Sequence, residues 1–153
     1  MNKPNQVREL LSSTVPHLKH NPDKLHIFIE GGNLVATGAR QNLSFEYRYQ
    51  LIILVTDYAD HADSLMVPLL AWVSSNQPEL MTHAERRERG IRFRSEQLTN
   101  QTADIEISLE LTERVRVSQQ DGGVEVVHLP EPPLDPDAGI NWLLYIAGEQ
   151  VLP

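Results

Sequence analysis

The chain contains no cysteine. That removes disulfides, thiolate nucleophiles and thiolate-bound zinc or iron–sulfur clusters, and it suits folding in a reducing compartment such as the cytoplasm. Long apolar runs are also missing. The longest, Leu51–Val55 and Leu65–Val73, fall far short of the roughly 20 residues that a membrane-spanning helix needs. The opening Met1–Val7 has no apolar stretch behind a basic flank, so no secretory signal is read there. There is no Walker phosphate loop, GxGxxG turn, GxSxG elbow or HExxH pair, and His17, His20, His26, His83 and His128 are scattered. Phosphate-loop, serine-hydrolase and zincin chemistry therefore lack a carrier.

Positive charge is scarce as well, with 13 Lys and Arg against 21 Asp and Glu, a net charge of -8. A general nucleic-acid binder draws on clustered basic residues, so this balance argues against one. The charge is also uneven. No Lys or Arg follows Arg116, whereas Asp121, Glu125, Glu131, Asp135, Asp137 and Glu149 do, and Arg86, Arg87, Arg89, Arg92 and Arg94 crowd one stretch. Such polarity orients neighbours in an assembly. A small nucleic-acid adaptor could use the arginines, but Glu85, Glu88 and Glu96 interleave them and Phe93 is their one aromatic companion. A solvated helix end, or a patch meeting the acidic end of another subunit, accounts for them better.

At 153 residues the chain matches one ordinary domain with a core of its own. Val7, Leu10, Leu11 and Val15 are spaced for a short N-terminal helix that Pro16 ends. Lys24–Glu30 alternates, and Gly31-Gly32-Asn33 predicts a tight turn with Leu34–Thr37 as the returning strand. Ser64–Ser75 reads as a helix with Leu65, Leu69, Trp72 and Val73 on one stripe and Pro68 near its start. Thr82-His83-Ala84-Glu85 has the form of a capping box before a second short helix closed by Gly90. Ile91–Leu98 and Val124–Leu129 are further strands, the latter after the turn Asp121-Gly122-Gly123. Pro130-Glu131-Pro132-Pro133 with Pro136 then gives an extended linker. The expected division is a single α+β domain over 1–129 and an apolar C-terminal segment, Trp142–Ile146, within 130–153.

Two long alternations dominate. Leu43, Phe45, Tyr47, Tyr49, Leu51, Ile53 and Val55 occupy every odd position of one. Ala103, Ile105, Ile107, Leu109, Leu111, Val115 and Val117 do so in the other, with Glu113 the sole break in the apolar face. A period of two held this long is a strand with one buried face. At ~3.3 Å per residue, about 15 residues span on the order of 50 Å, against a width near ~40 Å for a compact domain of this size. Such strands overrun the core and expose backbone for pairing between subunits, or a bulge breaks each into two.

Asp57, Asp60, His61 and Asp63 form the one cluster that resembles a metal or acid–base site. A metal-dependent hydrolase is the enzyme reading it permits. Immediately before a helix, however, the same residue types serve as caps for free N–H groups.

Taken as an ordered set, several blocks resemble the tail completion protein R family of Peduovirus-type contractile-tailed phages and related prophages. They are Met1-Asn2-Lys3-Pro4, Asn21–Phe28, Leu43–Tyr49, Pro68–Val73 with Asn76–Met81, and Leu111–Val115, covering about residues 1–118. The resemblance implies a structural protein that caps the head-proximal end of the tail tube and prepares head joining. It implies an α+β subunit, mainly antiparallel sheet packed by two or three helices, that closes with copies of itself into a ring, commonly hexameric. It implies tail tube and head-completion proteins as partners, residence in the virion tail after assembly in the host cytoplasm, and no catalytic residue, metal or cofactor. The side chains expected to meet a neighbour are Arg48, Arg86, Arg87, Arg89, Glu106, Glu110, Arg114 and Arg116, with Trp142, Leu144 and Ile146 in the C-terminal segment.

Overall fold

The computed structural model describes residues 1–132, together with the backbone of two short strands, Leu144–Ile146 and Glu149–Leu152. Helix α1 spans Lys3–Thr14, with Pro4 in its first turn, where a missing N–H costs nothing. It buries Val7 and Leu11 completely. Val15 is extended, as a residue before proline tends to be, and it separates α1 from a one-turn helix α2, Pro16–His20. The second substantial helix, α3, spans Asp63–Asn76 and contributes Leu65, Leu69 and Val73 to the core, while Trp72 is half-buried. Pro68 is the sixth residue of α3 and is itself buried.

The sheet holds β1 (Leu25–Ala36), β2 (Phe45–Tyr58), β3 (Ile91–Gln97), β4 (Ala103–Gln120) and β5 (Gly123–Leu129). All pairings are antiparallel, in the order β1-β2-β4, with β3 and β5 both on the far edge of β4. Short helices α4 (Glu79–Thr82) and α5 (Ala84–Arg89) link α3 to β3. Among the described residues the strands Leu144–Ile146 (β6) and Glu149–Leu152 (β7) pair with each other and with no other strand. The proline-rich stretch from Pro133 onward and Trp142 lie outside the described residues.

Both long alternations are single strands, of 14 and 18 residues. Odd residues of β2 pair with odd residues of β4, Leu51 with Leu109 and Ile53 with Ile107, so their apolar faces coincide under α1 and α3. At about 3.3 Å per residue the longer strand reaches about 60 Å, well beyond the helices. The apolar even positions of β2 divide: Ile52 is buried and Leu54 half-buried. A register shift between Val55 and Tyr58, with Asp57 at φ 53°, marks a bulge at the end of β2.

Two local expectations are overturned. Gly31-Gly32-Asn33 is not a hairpin turn, because β1 runs straight through it with only a register shift between Ile29 and Gly31. Gly32 is there for closeness: a Cβ would sit 2.5 Å from the Arg48 carbonyl oxygen and 2.8 Å from Tyr49 Cβ. The positive-φ glycine between β1 and β2 is Gly38, at 81°. Likewise Thr82 does not cap α5. It closes α4 by donating to the Pro78 carbonyl, His83 stands at the cap position, and no side-chain cap bond forms. Gly90 does end α5, but at a negative φ, and its role is space: a Cβ would lie 2.6 Å from the Arg86 carbonyl oxygen and press on Leu80.

Candidate assembly surface

β3 pairs with β4 from Ala103 to Leu109, and β5 pairs with it from Arg114 to Gln120. Between them the edge of β4 meets no strand, and its backbone groups need other partners. Glu110 N–H donates to the Gly90 carbonyl at 3.0 Å. Thr112 N–H donates to Gln77 Oε1 at 3.0 Å, and the Thr112 carbonyl accepts from Lys3 Nζ at 2.6 Å. Gln77 is fully buried; its amide nitrogen donates to Thr112 Oγ1 and to Glu79 Oε1. Side chains thus replace the missing strand.

Lys3 also donates to Gln77 Oε1 at 2.7 Å and pairs with Glu131 at 3.1 Å. Burial pushes its ammonium below the ordinary lysine range, and the carboxylates of Glu131, Glu113 and Glu79 act against that. Glu113, the one interruption of the apolar face, is buried for a reason. It accepts from the Tyr49 hydroxyl at 2.6 Å and from the Asn2 N–H at 2.7 Å. Burial first, and then the adjacent carboxylate, drive the Tyr49 phenol upward in pKa. Composition and spacing did not single out Lys3 or Gln77. Glu113 was a visible signal, since a lone charge inside an apolar series calls for a buried partner.

Through the same gap the chain passes to the polar face of the sheet. Glu79 reaches Thr112 Oγ1 and pairs with Arg86 at 2.6 Å. Arg48, Arg86 and Glu110 line one shallow concavity. Arg48 is paired with Glu46 at 2.6 Å, and that bond raises its pKa. Glu106 pairs with Arg94 at 3.4 Å, and Arg114 donates to the Pro130 carbonyl. Register places Glu46, Arg48, Glu106, Glu110, Arg114 and Arg116 on this one face. Arg87 instead donates to the Met81 carbonyl, and Arg89 is exposed at the end of α5. Leu144 and Ile146 belong to β6, described as backbone only.

The Asp57–Asp63 cluster does not converge. Among the described residues no group of three or more His, Asp or Glu could hold a metal ion. Asp57 pairs with Lys24 at 2.8 Å, which raises the lysine pKa, and its N–H donates to Asp104. Asp60 and His61 are exposed, and Asp63 opens α3. Buried Ser64 bonds to the Tyr58 hydroxyl and the His61 carbonyl. This is a bulge and a helix start, with no acid–base pair in it.

Exposed apolar side chains occur on α3 (Val67 and Leu70) and on β3 (Phe93) as well as on the outlying sheet. Phe28, Leu34 and Val35 on β1, Leu43 before β2, and Val124 and Val126 on β5 all face solvent among the described residues. Phe45 and Tyr47 stack edge-to-face on the same outlying part of the sheet, half-buried. The surface offers strand edges, charged pairs and apolar side chains, the materials of subunit contact.

The comparisons with known proteins agree with a structural role. No solved structure matches the chain. It is 43% identical to "Tail completion protein R" of Escherichia phage P2 over 151 residues, covering 99% of this chain and 97% of that protein. The likeness therefore extends past residue 118 to the C-terminal segment. The model for "P2 phage tail completion protein R (GpR)" matches residues 1–132. A match of this extent places the chain in the P2 phage tail completion protein R family, whose members are structural proteins of the phage tail and not enzymes.

Proposed function

We propose that this protein completes the tail tube at its head-proximal end, stopping its growth and presenting the surface to which the head is joined. It acts as a closed ring of copies, taken as hexameric, seated on the tail tube in the virion tail after assembly in the host cytoplasm. Family membership supports the tail assignment. The observation that carries the ring is the overrun of β2 and β4 past the helices, with exposed strands on both sides of the outlying sheet. A ring needs heterologous contacts, in which one face of a subunit meets a different face of the next. Arg48, Arg86, Glu106, Glu110, Arg114 and Arg116 are the side chains placed to face the lumen or a neighbour. Tail tube protein and head-completion proteins are its partners on either side.

Deleting the gene from a phage and measuring tails by electron microscopy tests this reading. Tails of uncontrolled length that fail to join heads are expected, and the purified chain added to tail tubes should form an oligomer of defined mass. A chain that stays monomeric with tubes present, and whose loss leaves tail length and head joining normal, overturns it.

A further inference from the structure

Soluble proteins guard exposed strand edges with charges, prolines or covering segments, because a bare edge recruits another chain. The three outer strands of this sheet differ in that respect. β3 carries Arg92, Arg94 and Glu96 within seven residues, so its edge is defended. At the near end of β1, Arg8 from α1 donates to the Ile27 carbonyl. The far end of β1, Gly31–Ala36, has no charged residue, and every one of its side chains is exposed. β5 has a single charged residue, Glu125, between the exposed Val124 and Val126. Among the described residues nothing covers these two edges, which lie on opposite sides of the outlying sheet.

Their directions are compatible. The order β1-β2-β4-β5 alternates at every step, so β5 runs opposite to β1. A second copy placed alongside by rotation brings its β1 antiparallel to the first copy's β5, and the next copy repeats the relation. An odd number of strands would have forced a parallel junction. Because β1, through β2, lies level with Ile105–Val115 of β4 whereas β5 pairs with Arg114–Gln120, the neighbour is staggered along the strand direction, as strands in closed barrels are.

We propose that the subunit interface is an antiparallel pairing of β5 of one copy with the Gly31–Ala36 half of β1 of the next, bringing Val124 and Val126 beside Leu34, which register places on the same face of the sheet. This rests on the ring reading above and specifies its contact. The pairing is head-to-tail, so each copy keeps one free edge of each kind until the ring closes.

The absence of cysteine makes the test direct. Leu34→Cys and Val126→Cys each add one thiol at an exposed site. The two single variants, mixed on tail tubes and treated with a short bismaleimide, should give a covalent dimer. Neither variant alone should, and the double variant should give a ladder of linked copies. Lysine at both Leu34 and Val124 should weaken assembly at least tenfold in concentration while leaving the melting temperature unchanged. An oligomer that forms with no cross-link in the mixture, cross-linking of either single variant with itself, or assembly indifferent to the lysines overturns this interface and leaves the ring standing. A monomer in the presence of tubes overturns both.

Discussion

The two ends of the central strand pair have the same sequence pattern and different fates. Toward the helices, Leu51, Ile53, Ile107 and Leu109 are sealed under α1 and α3. Toward the far end, Phe45, Tyr47 and Val117 hold the same alternate positions but stay half-buried, and on the flanking strands Leu34 is 58% exposed and Val124 and Val126 are each 56% exposed. A period of two states which side of a strand is apolar. Whether anything within the same chain covers that side depends on the length of the helices, and α1 and α3 together are too short to cover β4 from end to end.

The comparison is broken most severely by truncation in the sealed half. Ile107→Ala should cost about 2–5 kcal/mol, because it opens a cavity that rigid neighbours fill only in part, while Leu34→Ala should stay within about 0.5 kcal/mol. Denaturant unfolding of the isolated chain measures both, and equal losses would mean that the far end is covered after all.

The side-chain plug between the two halves comes next. Gln77→Ala leaves Thr112 N–H and part of the Lys3 ammonium without partners, for an expected loss of about 1–3 kcal/mol by the same measurement. Adjacent glycines sharpen the comparison on a smaller scale. Gly32→Ala meets Arg48 backbone and Tyr49 and should cost about 1–3 kcal/mol. Gly31→Ala meets nothing within 4 Å and should be neutral or slightly stabilising.

The smallest effect is a pH dependence. Tyr49 has a pKa raised above its ordinary value of 10.0 by burial and by Glu113. The folded state therefore keeps a proton that the unfolded chain loses. Its contribution is complete below pH 10 and declines as pH rises beyond that. Stability of the parent chain should fall more steeply above pH 10 than that of Tyr49→Phe. Parallel slopes would remove Tyr49 from the account.

The strands were the most legible part of this fold, since Leu43–Val55 and Ala103–Val117 declare their period over many residues and tertiary packing preserves it. Local punctuation was less so. Gly31-Gly32 has the composition of a turn, yet its glycines serve close approach between strands, and a single chain does not distinguish a glycine kept for φ from one kept for space. The capping box failed because Thr82 closes the helix before it. Of the expected surface residues, the even positions of β2 and β4 gather on one face as their spacing dictates. Lys3 and Gln77 stayed hidden because their role depends on where β3 stops and β5 starts, which no local pattern records.

That plug bears on how the protein is made. Lys3, Gln77, Thr112 and Glu131 meet at one point, so a residue synthesised among the first waits for one synthesised 128 positions later. At about 5–20 residues per second this is a delay of several seconds or more. Until then Lys3, in the first turn of α1, lacks its final counter-charge. A fragment cut short before Glu131 would therefore keep the Gln77 and Gly90 bonds to the β4 edge while the buried Lys3 ammonium loses one of its counter-charges.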